Sequence, residues 1–469
     1  MSPAAARLDA SFRDPSGFVF TRDGVLYRQV NAVFADEYEA CTAAGLYEAL
    51  GRDRLLIPHR PADLALALTP DAHAVLAPER VPFISYPYEW CFGELRDAAL
   101  LTLDVQVRAL EHGFTLRDAS AYNVQFVDGR PVFIDTLSFG RYRDGEPWLA
   151  YKQFCEHFLV PLTLMAERDV RCGQLLREYI DGIPLDLGSA LLPRRSWLDV
   201  RTLLHVHLHA RSQRKHHESK VSAVVGTRRI EKPALLALIG TLRSAIQRLD
   251  WRPAGTQWAD YVGATNYSDA AESAKRALVG EYLRRVNPAT VWDVGANTGE
   301  YSRVARDVAP LVCSFDIDPA AVERNYRTVR ARGETGILPL TLDLTNPSPS
   351  IGWANRERMS LAERGPADAV LALALVHHLA IGNNVPLDHV ARYFAELGRT
   401  LVIEFVAKED SQVQRLLRNR ADVFPSYTRD GFEQAFGAHF ATEACARVGD
   451  AERWLYLFRT RTPDHTTTG

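Results

Sequence analysis

The apolar positions of the C-terminal part of the chain form short runs separated by stretches of helical periodicity. Strand-like runs occur at 291–294, 311–315, 337–342, 369–376 and 400–405. Short apolar runs that alternate with helices are typical of a parallel sheet covered on both faces. Two further strand-like segments, Glu443–Val448 and Arg453–Arg459, flank a turn at Gly449–Glu452 and predict a terminal hairpin. The pattern predicts an α/β fold from about residue 286 to residue 460.

The N-terminal pattern differs. Two strand-like segments, Gly17–Thr21 and Val25–Val30, are joined by Arg22-Asp23-Gly24, and an Asp-Gly pair is a strong hairpin signal. A helix is predicted at Ala35–Leu50, a further strand at Phe83–Tyr88, and a long helix at Leu95–His112. Residues 181–285 are more polar and mainly helical in pattern. We therefore predict an α+β domain at 1–180, a helical connector at 181–285, an α/β domain at 286–460 and a disordered tail at 461–469.

Composition narrows the class of protein. A chain of 469 residues is too long for one core and predicts two or three domains. The net charge of −3 does not supply the basic surface of tight nucleic-acid binding. The six cysteines are dispersed without a CxxC pair, which favours a reducing compartment. The N-terminus lacks the pattern of a signal peptide, and no apolar run reaches the roughly 18 residues of a membrane span. We expect a cytoplasmic protein without a membrane or nucleic-acid partner, and the oligomeric state stays open.

Polar residues follow the predicted strands of the C-terminal domain. Asp293, Gly295, Asn297 and Gly299 lie at the turn after the first strand, where glycines let backbone approach a ligand and the following helix favours an anion. Asp316 ends the second strand and could accept hydrogen bonds from both hydroxyls of a ribose. Asp343 and Leu344 follow the third strand. The turn reads GxNxG, whereas dinucleotide-binding turns read GxGxxG.

These segments, DVGANTGEYS, SFDIDP, LTLDL, ADAVLALALVHHL and LVIEF in this order, resemble the serial motifs of class I S-adenosylmethionine-dependent methyltransferases. The resemblance implies a Rossmann-like sheet of seven strands that ends in an antiparallel hairpin, and S-adenosylmethionine as the cofactor. It also implies cofactor contacts by Asp293, Gly295, Asn297 and Gly299, a ribose contact by Asp316, and an adenine contact by Asp343 and Leu344. Asn297 replaces the middle glycine that is common in this family.

The fourth strand is followed by two candidate catalytic residues, His377 and His378. A histidine at this edge could take a proton from a hydroxyl acceptor, or it could pack or cap without a chemical role. The two rings should point to opposite sides if the strand continues through them. The fourth strand lacks the Asn/Asp-Pro-Pro-aromatic tetrad that methyltransferases of nucleobase nitrogens carry. We therefore favour a small-molecule or peptide acceptor that is methylated on oxygen. Glu404, at the end of the fifth strand, is either an acceptor ligand or a structural carboxylate.

The N-terminal domain contains a second constellation. Asp118, Asn123 five residues later, and Asp135 at a following strand end are similar to the catalytic loop and metal site of protein-kinase-like and aminoglycoside-phosphotransferase-like folds. That resemblance implies magnesium and ATP. Four features depart from it. Leu116 stands where protein kinases usually have histidine, and Asp135 is followed by Thr136-Leu137 instead of Phe-Gly. A glycine-rich phosphate loop is missing, and no lysine precedes Lys152. Arg28 is the candidate substitute for the missing lysine, with Glu37 or Glu39 as its partner, although arginine is not an easy replacement.

Three hypotheses follow. The leading one is a methyltransferase whose N-terminal domain is a degenerate kinase-like fold that binds the acceptor or a partner. The second is a phosphotransferase that uses Asp118, Asn123 and Asp135. The third is a scaffold that retains the cofactor fold without turnover. No metal site is expected in the methyltransferase domain.

Overall fold

The computed structural model describes residues 5–211, 230–253, 269–418, 421–449 and 451–461. The chain divides into two compact units. Unit 1 comprises Met1–Arg252 and Ser350–Arg358, and unit 2 comprises Pro253–Pro349 and Met359–Gly469. The predicted connector at 181–285 is thus shared between the two units. The predicted tail lies outside the described residues, except for Arg461.

Unit 1 begins with a five-stranded antiparallel sheet in the order β1-β2-β3-β5-β4. Its strands are β1 (Ala5–Arg7), β2 (Gly17–Arg22), β3 (Val25–Asn31), β4 (His59–Ala62) and β5 (Ala72–Pro78). The hairpin between β2 and β3 is present as predicted. Asp23 and Gly24 both have positive φ, at 50° and 78°, which suits the right-handed twist of the strands that they join.

The predicted helix at Ala35–Leu50 is two helices, α1 (Ala35–Ala43) and α2 (Leu46–Arg52). They are separated at Gly45, whose φ of 66° ends the first helix in the left-handed conformation that glycine adopts most readily. The long helix is confirmed as α3 (Phe92–Glu111). The predicted strand at Phe83–Tyr88 is wrong: Pro87–Glu89 is a 3-10 turn, and the Glu89 carboxylate accepts from the Tyr86 N–H at 2.9 Å.

Two short antiparallel pairs follow α3 in unit 1. β6 (Phe114–Leu116) pairs with β9 (Phe139–Arg141), and β7 (Val124–Val127) pairs with β8 (Arg130–Phe133). Helices complete the unit: α4 (Tyr151–Phe154), α5 (Val160–Glu167), α6 (Leu175–Glu178), α7 (Leu185–Leu191), α8 (Val200–Thr202) and α9 (Lys232–Arg248).

The segment Ser350–Arg358 is the discontinuous part of unit 1. Arg13 Nη2 donates to Glu357 Oε2 at 2.9 Å, and Glu357 is 2% exposed. The Arg358 guanidinium lies 4.4 Å from the centre of the Tyr122 ring. A buried carboxylate with its own arginine partner and a cation over an aromatic face are contacts that hold a segment in place.

Unit 2 contains a seven-stranded mixed sheet in the order β12-β11-β10-β13-β14-β16-β15. Its strands are β10 (Thr290–Val294), β11 (Leu311–Asp316), β12 (Ile337–Thr341), β13 (Ala369–Ala372), β14 (Thr400–Val406), β15 (Phe440–Arg447) and β16 (Arg453–Thr460). β10 to β14 are parallel. β16 is antiparallel to β14 and to β15, so the predicted terminal hairpin is present.

Helices cover this sheet: α10 (Asp269–Val286), α11 (Glu300–Arg306), α12 (Pro319–Arg332), α13 (Leu387–Leu397), α14 (Ser411–Leu417) and α15 (Arg429–Gly437). One core cluster brings α10 residues such as Val279 and Leu283 against buried strand residues such as Val291, Val402 and Leu457. Across the parts of the chain that the structure describes, no helix has the length and apolar content to cross a bilayer.

Candidate active site

The turn after β10 carries the predicted glycines. Gly295, Asn297 and Gly299 all have positive φ, at 79°, 51° and 81°. Glycine adopts this conformation without cost, and asparagine is among the few other residues that tolerate it. A Cβ on Gly299 would lie 2.5 Å from the Asn325 side chain. The backbone here therefore requires glycine at Gly299, and the asparagine variant at Asn297 is compatible with the turn.

Asp316 binds this turn directly. Its Oδ2 accepts from the Asn297 N–H at 2.7 Å, and its Oδ1 accepts from the Asp318 N–H at 2.8 Å. Burial raises the pKa of Asp316 to about 6, although both backbone N–H groups favour the charged form. Ile317, the next residue, is 55% exposed and presents an apolar side chain beside the carboxylate.

Asp293 lies inside the sheet, 2% exposed. The Ser302 hydroxyl is 2.6 Å from its Oδ2, and that hydroxyl is also 2.9 Å from the Ser314 hydroxyl. Burial, reinforced by the charge of Asp316 and opposed by the Ser302 hydrogen bond, raises the pKa of Asp293 to about 7. This carboxyl thus ties α11 to the end of β10, and burial makes its charged form costly.

The third predicted position is next to these two. Asp343 Oδ1 accepts from the Thr345 N–H at 2.8 Å and from its hydroxyl at 2.7 Å, and the Leu342 N–H donates to the Asp316 carbonyl at 2.8 Å. Asp343 and Leu344 are both partly exposed. The carboxyl ends of β10, β11 and β12, which are adjacent strands, therefore bring the glycine turn, Asp316 and Asp343 to one edge of the sheet.

The two candidate catalytic histidines lie beyond β13. This strand ends at Ala372, four residues earlier than predicted, and Ala374 has a φ of 51°. Because the chain then turns helical, the rings of His377 and His378 are in contact, with centroids 4.2 Å apart, instead of pointing to opposite sides. Whether either one is catalytic stays a prediction.

Burial keeps both rings neutral. It lowers the pKa of His378 to about 4, and it lowers the pKa of the 1%-exposed His377 well below the ordinary value, with help from the charge of His378. His377 Nδ1 has no hydrogen-bond partner within the described residues. A neutral imidazole can accept a proton, but a pKa near 4 makes His378 a weak base at neutral pH.

Sequence reasoning missed Lys275. It lies on α10, 3% exposed, and its Nζ is 2.7 Å from Glu404 Oε2. A signal was available, since Lys275 is four residues after Ala271 and four before Val279, on the apolar stripe of the helix. Glu404 is fully buried and accepts hydrogen bonds from three groups, so its role as a satisfied carboxylate is the one that the contacts favour. Upstream of α10, the aromatic segments 258–261 and 266–268 precede the first strand of the sheet in sequence and could cover a cofactor. Both lie outside the described residues.

In unit 1 the structure brings Asp118, Asn123 and Asp135 together. Asn123 Nδ2 is 3.4 Å from the Ser138 hydroxyl, which donates to Asp135 Oδ2. The proposed pairing of Arg28 with Glu37 or Glu39 is wrong. Arg28 forms an ion pair with Asp135.

The two glutamates have other partners. Glu37 pairs with Arg141, and Glu39 pairs with His73. Burial raises the pKa of Asp118, with a contribution from the charge of Asp135. Burial would raise the pKa of Asp135 too, but Arg28 and the Ser138 hydroxyl lower it. Among the residues with described positions, no group of three or more His, Cys, Asp or Glu side chains could hold a metal ion.

Comparison with known proteins identifies the family. No family model matches the chain. The nodulation protein NoeA of Rhizobium meliloti (strain 1021) is 37% identical over 466 residues, which cover 97% of this chain and 97% of that protein. The chain belongs to the NoeA family.

Solved structures resemble part of this NoeA-family chain. The N-methyltransferase NodS from Bradyrhizobium japonicum WM9, in complex with S-adenosyl-L-homocysteine, is 10% identical with a TM-score of 0.31, covering 45% of this chain and 100% of that one. The magnesium protoporphyrin IX methyltransferase ChlM from Synechocystis PCC 6803, with bound S-adenosylmethionine, is 17% identical with a TM-score of 0.29, covering 45% and 88%. Unit 2 itself has the seven-stranded α/β sheet with an antiparallel terminal hairpin that the sequence predicts.

Proposed function

We propose that the NoeA-family chain transfers the methyl group of S-adenosylmethionine to an oxygen atom of a small molecule or peptide. The observation that carries the proposal is the contact between the Asp316 carboxylate and the glycine turn at Asn297, at 2.7 Å. This contact joins the two motifs that the sequence places on adjacent strands. It gives one rigid edge with a carboxylate, open backbone and an apolar side chain beside it.

The residues at this edge fit the cofactor. Gly295 has only Leu375 atoms, at 3.4 Å or more, near the place where a side chain would stand, and Asp316 presents a buried carboxylate to a pair of ribose hydroxyls. Ile317 offers an apolar surface to a planar base, and Asp343 can accept from an exocyclic amino group. Asp293, with its pKa raised to about 7, gains from any positive charge placed near it.

When bound, S-adenosylmethionine supplies an electrophilic methyl group. The chain holds the acceptor hydroxyl in line with it, and this positioning accounts for much of the acceleration of such displacements. Transfer of that group to the acceptor oxygen would release S-adenosylhomocysteine, with the electron pair of the former carbon–sulfur bond on sulfur. His377 Nδ1, which lacks a partner in the described structure, is the candidate acceptor for the proton of the hydroxyl, although burial lowers the pKa of this ring and makes it a weak base in the free chain. His378 packs against that ring and keeps it oriented.

The N-terminal unit supports a second candidate function, phosphoryl transfer, through the convergence of Asp118, Asn123 and Asp135. The Arg28–Asp135 ion pair disfavours it, because the guanidinium occupies the carboxylate that would hold magnesium. We therefore propose that unit 1 is a kinase-like domain that binds the acceptor or a partner. From its family we further propose that the chain acts in nodulation, as the name of its relative states.

Isothermal titration calorimetry with S-adenosylhomocysteine tests the cofactor. The full chain should bind it, and Asp316→Ala should lower the affinity at least tenfold. Asp388→Asn, a carboxylate that is 68% exposed on α13, is the matched control and should bind normally. If the full chain shows no binding heat and Asp316→Ala changes nothing, the proposal fails.

The acceptor requires a different experiment. Cell extract incubated with the full chain and isotopically labelled S-adenosylmethionine should yield a labelled product by mass spectrometry, with the label on oxygen. A label on a nucleobase nitrogen would contradict the choice of acceptor. Any product that depends on the chain excludes the non-catalytic scaffold.

A further inference from the structure

Ala374 has a conformation that needs support. Its φ of 51° lies in the left-handed region, and it is neither glycine nor asparagine. This conformation is unfavourable for a residue with a Cβ and persists only where surrounding contacts impose it. Ala374 lies between the end of β13 and the turn that carries His377 and His378. Its backbone therefore sets where that turn goes.

The contact that imposes this conformation comes from β14. The Ala374 N–H donates to Glu404 Oε2 at 2.8 Å, and Glu404 is completely buried. Lys275 Nζ donates to the same oxygen at 2.7 Å, and Arg453 Nη1 lies 3.5 Å from the other oxygen. Arg453 Nε also donates to Asp410 Oδ2 at 2.8 Å.

A buried carboxylate is retained only with such partners. The side chains of Lys275 and Arg453 are 4% and 5% exposed, so both cations are buried together with the carboxylate. By accepting from the Ala374 N–H, this satisfied carboxylate also fixes the backbone where the chain enters the His377–His378 turn. The arrangement uses two cations to hold one acceptor atom in a fixed place.

We propose that Glu404 is a positioning residue for the acceptor side of the active site, holding the His377–His378 turn through the Ala374 N–H. Lys275 and Arg453 hold its carboxylate in place. This inference rests on the proposed function, because it assigns the turn a role in receiving the acceptor. The charged and titratable groups that face His377 are His378, Arg453, Glu404 and Lys275.

Histidine-selective carbon-13 NMR of the full chain tests the positioning without an acceptor. The signals of His377 and His378 are assigned from His377→Asn and His378→Asn. In Glu404→Ala both signals should shift. In Glu404→Gln, which retains an oxygen for the Ala374 N–H, they should shift less. Asp410→Asn is the matched control: it removes a carboxylate of the same cluster that does not contact Ala374, and it should leave both signals in place.

A second substitution and a pH titration separate positioning of the turn from general stability. Glycine adopts the left-handed conformation without a supporting contact, so Ala374→Gly should restore the positions of both histidine signals in the Glu404→Ala background. Lys275→Met should raise the apparent pKa of His377, since a nearby cation is removed. If Glu404→Ala does not fold, Glu404→Gln and Lys275→Met still decide.

The inference is overturned if Glu404→Gln and Asp410→Asn shift the signals equally, or if Lys275→Met leaves the titration unchanged. Calorimetry with S-adenosylhomocysteine on the unmodified chain distinguishes failure of this inference from failure of the proposed function. If the unmodified chain does not bind, the proposed function is refuted. If it binds but the histidine signals do not move in the Glu404 variants, only the role of Glu404 is refuted.

Discussion

The affinity for S-adenosylhomocysteine should depend on the ionisation of one carboxyl group. Burial raises the pKa of Asp316 to about 6, and its two oxygens already accept from two backbone N–H groups. The charged form is the one that accepts further bonds from ribose hydroxyls. At pH 7 about nine tenths of the molecules carry the charge, and at pH 5 about one tenth do. Affinity should therefore fall about tenfold over this range, which corresponds to about 1.4 kcal/mol.

A variant isolates the cause. Asp316→Asn has one carbonyl oxygen, so its amide group must face either the Asn297 or the Asp318 N–H as donor against donor. Hydrogen bonds to charged groups contribute about 1.5–3 kcal/mol, and a lost one should lower affinity by about 10- to 100-fold at pH 7. The variant should also lose the part of the pH dependence between pH 5 and 7 that Asp316 causes, while any part that comes from Asp293, whose pKa is raised to about 7, should remain.

Calorimetry of the full chain at pH 5, 6, 7 and 8 measures both effects, with Asp388→Asn as the exposed control. That control should follow the unmodified chain at every pH. The reasoning is refuted if the unmodified chain binds with the same affinity at pH 5 and pH 7, or if Asp316→Asn keeps the full affinity.

Two predictions concern stability. The folded-state pKa of Asp293, about 7, is above the ordinary 3.8, so its stabilising contribution is complete below pH 4 and is lost as pH rises through 7. The unfolding free energy of the unmodified chain should fall by on the order of 4 kcal/mol between pH 4 and pH 8 because of Asp293, and in Asp293→Asn this part of the fall should be absent. Thermal unfolding across this pH range measures both, and identical pH profiles of the two proteins would contradict the prediction. Arg28→Met leaves the Asp135 carboxylate without its cation and should cost about 3 kcal/mol by denaturant unfolding, with recovery in the double variant Arg28→Met, Asp135→Leu. Magnesium and ATP together should not raise the melting temperature of the unmodified chain, because Arg28 is paired with the carboxylate that would hold magnesium. A clear rise would support the phosphotransferase hypothesis.

Most of the sheet in unit 2 could be predicted because its strands are bounded locally. β10 and β11 end at glycine and aspartate positions that are visible in the sequence, and both predicted strands agree closely with the structure. The hairpin of β2 and β3 was likewise specified by its Asp-Gly turn. Here the pattern of neighbouring residues is sufficient, since buried strands and tight turns are local solutions.

The end of β13 could not be predicted in the same way. The apolar run continues to Val376, but the strand stops at Ala372. The Ala374 N–H donates a hydrogen bond to the side chain of Glu404, thirty residues later, and the chain turns there. The partner of Arg28 is another case: Asp135 is more than a hundred residues away in sequence. Contacts of this separation follow from the assembled fold, and the residues near each site give no sign of them.

The wrong strand at Phe83–Tyr88 has a local cause that could have been weighed. Pro82 and Pro87 interrupt the run, and proline lacks the N–H that a ladder needs. The meeting of the glycine turn, Asp316 and Asp343 at one edge of the sheet, by contrast, was accessible to sequence reasoning because parallel strands bring their carboxyl ends together. The pKa shifts at that edge were not, since they depend on how deeply Asp293 and Asp316 are buried.

The placement of Ser350–Arg358 has a consequence for the order of events during synthesis. Unit 1 cannot be complete until Arg358 has left the ribosome, and by then the segments of β10, β11 and β12 have already been made. During synthesis, domains generally fold as units, and the N-terminal domain folds first. In this chain the contact of Arg13 with Glu357 cannot form until residue 357 has been synthesised, 344 residues later. The two units therefore finish folding in overlapping time, and a ribosome stalled between residues 252 and 350 would display an N-terminal unit with its last segment missing.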